Sequence, residues 1–139
     1  MLAVMIAFFG TVFAVNTDGT GFTTVHSFAG YPDDGDHPYA GLLSSGTSLY
    51  GTTSSGGNPG WGTVFAINTH GAGLTILHNF TALSGLYPNY TNSEGAYPYG
   101  YGGLILSGNT LYGTANLGGD SRYGTVFKVD TDGTGFTNL

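Results

Sequence analysis

Apolar residues in this chain come in short blocks separated by Gly, Ser, Thr and Asn, and the clearest block is Thr63-Val64-Phe65-Ala66-Ile67-Asn68. It is apolar at successive positions rather than alternate ones, the pattern of a strand covered on both faces. Phe65 and Ile67 fall on one side of such a strand, and the smaller Val64 and Ala66 on the other. The block is not unique. Gly-Thr-Val-Phe occurs at 10–13, 62–65 and 124–127, each time behind an aromatic residue: Phe9, Trp61 and Tyr123.

The phrases around it recur in the same order. His26-Ser27-Phe28 matches His78-Asn79-Phe80, Pro38-Tyr39 matches Pro98-Tyr99, and Leu49-Tyr50-Gly51-Thr52 matches Leu111-Tyr112-Gly113-Thr114. Successive Gly-Thr-Val-Phe phrases start 52 and then 62 residues apart. The longer second interval places its extra residues before the second Pro-Tyr phrase and within 100–103, where loops tolerate insertion. In the middle copy the pattern predicts four strands, over 41–45, 48–54, 63–68 and 74–80. The last two are joined by a Thr-His-Gly-Ala-Gly turn that reads Thr-Asp-Gly-Thr-Gly in the outer copies. Loops rich in Gly, Ser, Asn and Pro, 55–60 and 117–122, link the second and third strands.

A four-stranded unit recurring at this period, with a two-sided third strand, points to stacked sheets like the blades of a β-propeller. The fold expected is therefore all-β, a single domain (1–139) forming a partial, open propeller of about two and a half kelch-like repeats. Residues 1–28 would supply a half blade, 38–80 a full blade, and 98–139 a blade cut short in its last strand. Terminal units with an uncovered face make self-association an expectation as well. Residues 1–15 are apolar enough to resemble a leader, but 10–16 repeat at 62–68 and belong to the fold. The stretch is too short for a transmembrane helix.

Composition narrows the function classes. Net charge is −6, and the only cations are Arg122 and Lys128, so no basic patch for nucleic acid can be assembled. Cysteine is absent, which removes disulfides, thiolate metal sites and cysteine nucleophiles. No Gly-x-Ser-x-Gly elbow is present, and Glu94 is the only glutamate. His26 and His78 share one repeat position, which marks them as structural rather than catalytic, and His70 is a turn variant of Asp18 and Asp132. The run Asp33-Asp34-Gly35-Asp36-His37 has the residue types of a metal loop without the alternating spacing of a calcium site. Its aligned partner, Glu94-Gly95-Ala96-Tyr97, keeps only an acid-Gly turn. The sequence thus predicts no catalytic, cofactor or metal site. Asn79-Phe80-Thr81 and Asn89-Tyr90-Thr91 fit the glycosylation pattern, a short motif that recurs by chance.

The distinctive surface candidate is the longer second loop, with Tyr87, Tyr90, Tyr97, Tyr99 and Tyr101 among Asn, Ser and Gly. Such rings, flanked by neutral hydrogen-bonding groups, suit a polysaccharide or a protein segment.

These phrases resemble the bacterial choice-of-anchor tandem repeat GloVer-containing proteins. Residues 10–28, 38–52, 62–80 and 98–114 follow that family's repeat closely, and the partial copy from Gly124 does as well. The resemblance implies a secreted or surface-displayed repeat protein without assigned catalytic residues. The function expected is a noncatalytic extracellular or cell-surface module serving as a scaffold, adhesion or binding surface. The alternative is a carbohydrate-binding or carbohydrate-processing propeller whose active residues lie in missing repeats.

Overall fold

A computed structural model describes residues 9–85, 91–99 and 102–139. Among these residues there is no helix, and the strands are all antiparallel within their sheets. Strands β1 (Thr11–Ala14) and β2 (Thr23–Ser27) form a hairpin. Two short strands, β3 (Gly35–Asp36) and β6 (Ser55–Gly56), pair with each other. A four-stranded sheet runs in the order β4 (Leu43–Ser45), β5 (Ser48–Thr53), β7 (Thr63–Asn68) and β8 (Thr75–Asn79). A second, of the same order, comprises β9 (Ile105–Ser107), β10 (Thr110–Ala115), β11 (Thr125–Asp130) and β12 (Thr137–Asn138).

The four strands expected in the middle copy are thus present, the third with the bounds expected and the other three trimmed by one or two residues. The β3–β6 pair is an addition. It lies where the sequence suggested only a turn and a loop, because two-residue strands are too short to show a period.

The Thr-Asp-Gly turns fold as three-residue hairpin loops. In the first copy Gly19 N donates to Asn16 O at 2.8 Å and Asn16 N donates to Thr20 O at 2.9 Å. Residues 68–72 and 130–134 repeat both bonds. Asp18 Oδ1 accepts from Thr20 N and Thr20 Oγ1, and Asp132 does the same for Thr134. These donors hold both carboxyls below the usual aspartate range, the hydroxyl contributing most. A bulge recurs too: the register shifts between Val12 and Phe13, and between Val64 and Phe65.

Packing follows the two-sided pattern of the third strand. Phe65 and Ile67 join Val12 and Phe28 in one apolar cluster, where the hairpin meets the middle sheet. Val64 and Ala66 face the other way, into a cluster with Tyr50, Leu77, Phe80, Leu104, Leu111, Phe127 and Val129, where the two four-stranded sheets meet. Equivalent residues build both junctions: Val12 answers to Val64, Phe28 to Phe80, Phe65 to Phe127 and Ile67 to Val129. Phe65 and Phe127 are fully buried, whereas Phe13, at the same register position in β1, is 55% exposed. No described sheet covers that face of the hairpin.

Glycines at two repeat positions lock the repeat phrases together. Gly51 lies opposite Phe65 in the β5–β7 pair, and a Cβ there would stand 2.6 Å from the Phe65 ring and 2.9 Å from Leu42. Gly113 holds the same relation to Phe127 and Leu104. Gly62 takes a φ of 101°, and a Cβ there would meet Pro98 Cδ at 2.6 Å. The first glycine of Gly-Thr-Val-Phe therefore seats the proline of the next Pro-Tyr phrase.

Candidate functional site

The main chain that links one unit to the next places the aromatic side chains. Tyr97 N donates to Trp61 O at 2.9 Å, while Tyr97 O accepts from Tyr99 N and from Asn116 N. His37 repeats this arrangement with Phe9 O, Tyr39 N and Ser54 N. Both residues have positive φ, 56° for His37 and 52° for Tyr97, although neither is glycine. The shared geometry, set by three backbone bonds, holds each residue in a conformation that L-residues seldom adopt.

From these two stitches an aromatic row is built across the junction. Tyr39 stacks on Tyr99 with centroids 5.4 Å apart, and His37 lies 5.5 Å from Tyr39. Tyr97 lies 6.5 Å from Tyr99 and packs edge-on against Trp61 at 5.1 Å. Tyr39 and Tyr99 are 50% and 42% exposed. Of the five tyrosines singled out in the sequence, the structure brings Tyr97 and Tyr99 together. Tyr87, Tyr90 and Tyr101 lie outside the described residues. Tyr39, recognised in the sequence only as the repeat partner of Tyr99, is an equal member of the row. Tyr123, the repeat equivalent of Trp61, is almost fully exposed.

A second constellation joins the repeated histidine to the repeated acid-Gly turn. His26 Nε2 lies 2.9 Å from Asp34 Oδ2, and Asp34 also accepts from Ala29 N and Gly35 N. In the next copy Glu94 Oε2 accepts from Thr81 N, and His78 Nε2 lies 3.5 Å from it. The rings of His26 and His78 also meet Phe28 and Phe80 edge-on. His78 additionally stacks on Phe136, and its buried Nε2 makes no hydrogen bond among the described residues. Burial pushes the His78 pKa down, and the Glu94 carboxylate only partly offsets it. The pairing itself escaped the sequence reading, although both halves repeat in step, and that joint recurrence was the available signal.

The carboxylates of the 33–37 run diverge. Asp34 turns inward to His26, whereas Asp36 accepts from Ser55 Oγ and lies 2.7 Å from His37 Nδ1. No group of three or more His, Asp or Glu comes together among the described residues. No described helix is long and apolar enough to cross a membrane.

No curated protein and no solved structure matches the chain. The family pattern described as the Gloeobacter/Verrucomicrobia repeat matches residues 7–139, spanning all three copies of Gly-Thr-Val-Phe. The chain belongs to the Gloeobacter/Verrucomicrobia repeat family.

Proposed function

We propose that the chain is a noncatalytic tandem-repeat module of open β-propeller type, its sheets acting as kelch-like blades. It serves at the cell surface or outside the cell as a scaffold that presents a binding surface. The propeller reading draws support from two junctions made by equivalent residues on opposite faces of the middle sheet. The extracellular setting rests on the resemblance of its repeat to surface-displayed proteins.

The observation that carries the binding role is the row of exposed Tyr39 and Tyr99 with half-buried Tyr97, drawn from two successive repeats and fixed by main-chain bonds. Preorganised tyrosines offer contact area at little entropic cost. The ligand class that suits them is a neutral polysaccharide or an uncharged peptide segment, because the chain has so few cations to recruit an anion. A glycan array and a peptide pull-down with wild type, Tyr99→Ala and Tyr39→Ala test the reading. Each substitution should weaken binding by about 1 kcal/mol, some fivefold. Wild-type-like binding by both variants would remove the row from the function.

A further inference from the structure

Tyr39 and Tyr99 occupy the same repeat position, and each follows a proline seated on the first glycine of a Gly-Thr-Val-Phe phrase. Tyr39 N donates to His37 O at 3.0 Å, and Tyr99 N donates to Tyr97 O at 2.7 Å. The main chain thus fixes where both side chains start, and their rings stack at 5.4 Å with planes 25° apart. This is the closer of the two ring contacts between described tyrosines, since Tyr97 and Tyr99 lie 6.5 Å apart and tilted by 49°. Both stacked rings reach solvent.

The chain offers an oxidant few other targets. Cysteine is absent, and Met1 and Met5 are the only methionines, so little sulfur is there to be oxidised first. Trp61, 5.1 Å from Tyr97, extends the row inward. An electron hole formed on any of these rings can pass from ring to ring and reach the exposed pair.

We propose that Tyr39 and Tyr99 are a cross-linking site, joined as dityrosine when the chain meets a one-electron oxidant such as a haem peroxidase supplied with hydrogen peroxide. Each phenol gives up one electron and its hydroxyl proton, leaving a phenoxyl radical with spin density on the ring carbons beside the oxygen. One such carbon from each ring forms the new C–C bond. The hydrogens those carbons carried move to the oxygens and restore both phenols. The two electrons and two released protons reduce one peroxide to two waters. Stacking gives the rings an effective concentration that separate molecules cannot match, so coupling within the chain outruns coupling between chains, even through Tyr123, which is 92% exposed. The bond joins the segment before the middle four-stranded sheet to the segment after it, closing a covalent loop around that sheet and constraining the unfolded chain. No ligand is needed, so this site stands or falls separately from the binding role.

Glu94, the only glutamate, makes the bond readable, because cleavage after it parts residues 1–94 from 95–139. The dilute full chain is oxidised with peroxidase and peroxide, denatured, cut with a glutamate-specific protease and analysed by mass spectrometry. In wild type the two fragments should stay joined, two hydrogen atoms lighter than their sum, and the yield should not change when the chain is diluted tenfold before oxidation. Tyr39→Phe and Tyr99→Phe, which keep the stacked rings, should each abolish the link, whereas Tyr123→Phe should retain it. Oxidation in urea should lower the yield severalfold, because the stack is then lost. Near-UV circular dichroism checks the fold of each variant. Separate fragments from oxidised wild type, a link that persists in either variant of the pair or vanishes in Tyr123→Phe, a yield that falls with dilution, or an equal yield in urea would each overturn the proposal.

Discussion

Gly51 shows how one residue type can be required for space rather than for backbone freedom. Its conformation is open to any residue, but the Phe65 ring and Leu42 occupy the volume a methyl group would need. Gly51→Ala should therefore cost about 1–3 kcal/mol in urea unfolding, the usual penalty of overpacking. Gly41→Ala, where a Cβ meets nothing within 4 Å, should change stability by well under 1 kcal/mol. His78 supplies a second test at this scale. Its pKa is lowered in the fold by burial, so the unfolded chain takes up the proton first as pH falls. The stability contributed by the neutral ring is complete above the unfolded value near 6.5 and is lost progressively below it. The melting temperature should thus drop between pH 7 and 5. His78→Phe, which keeps a ring on Phe136, should flatten that part of the profile. An unchanged slope in the variant would assign the pH dependence elsewhere.

At the scale of elements, identical sequence yields different energetics according to what lies across the junction. Phe65→Ala should cost about 3–5 kcal/mol, as deletion of a buried phenylalanine does. Phe13→Ala, measured in dilute monomer, should cost about 1 kcal/mol or less because its ring is half in water. Equal losses in chemical denaturation would mean that the face of β1 is covered in solution. Strands and turns were legible in the sequence because their signals are local: a two-sided apolar run, and Asx followed by glycine. The environment of Phe13 was not, since nothing within the phrase Gly-Thr-Val-Phe says whether a neighbouring sheet covers its phenylalanine. The aromatic row was only half legible. Tyr97 and Tyr99 stood out by composition, but the Tyr39–Tyr99 stack joins residues of different repeats and depends on how their sheets meet. The His26–Asp34 pair, close in sequence, was hidden by the local reading of each partner as a feature of its own strand or turn.

Across the whole molecule, net charge is carried by eight acids against two bases, and five of those acids (Asp18, Asp34, Asp36, Glu94 and Asp132) are engaged in turns or lie beside a histidine. Ligand binding at the tyrosine row should accordingly change less than twofold between low and high salt, and a chelator should leave it unaltered. Titration calorimetry at two ionic strengths checks this, and a steep salt dependence would point to a charged ligand instead. The stitch between units has a wider meaning. At positions 37 and 97 the main chain makes the fixed contacts, the amide to the aromatic residue before Gly-Thr-Val-Phe in one unit and the carbonyl to the residue just past the second strand of the next, while the side chain is left to vary between imidazole and phenol. Each repeat thereby offers one interchangeable display position at a constant location. Surface chemistry can diversify there, repeat by repeat, without altering the architecture that carries it.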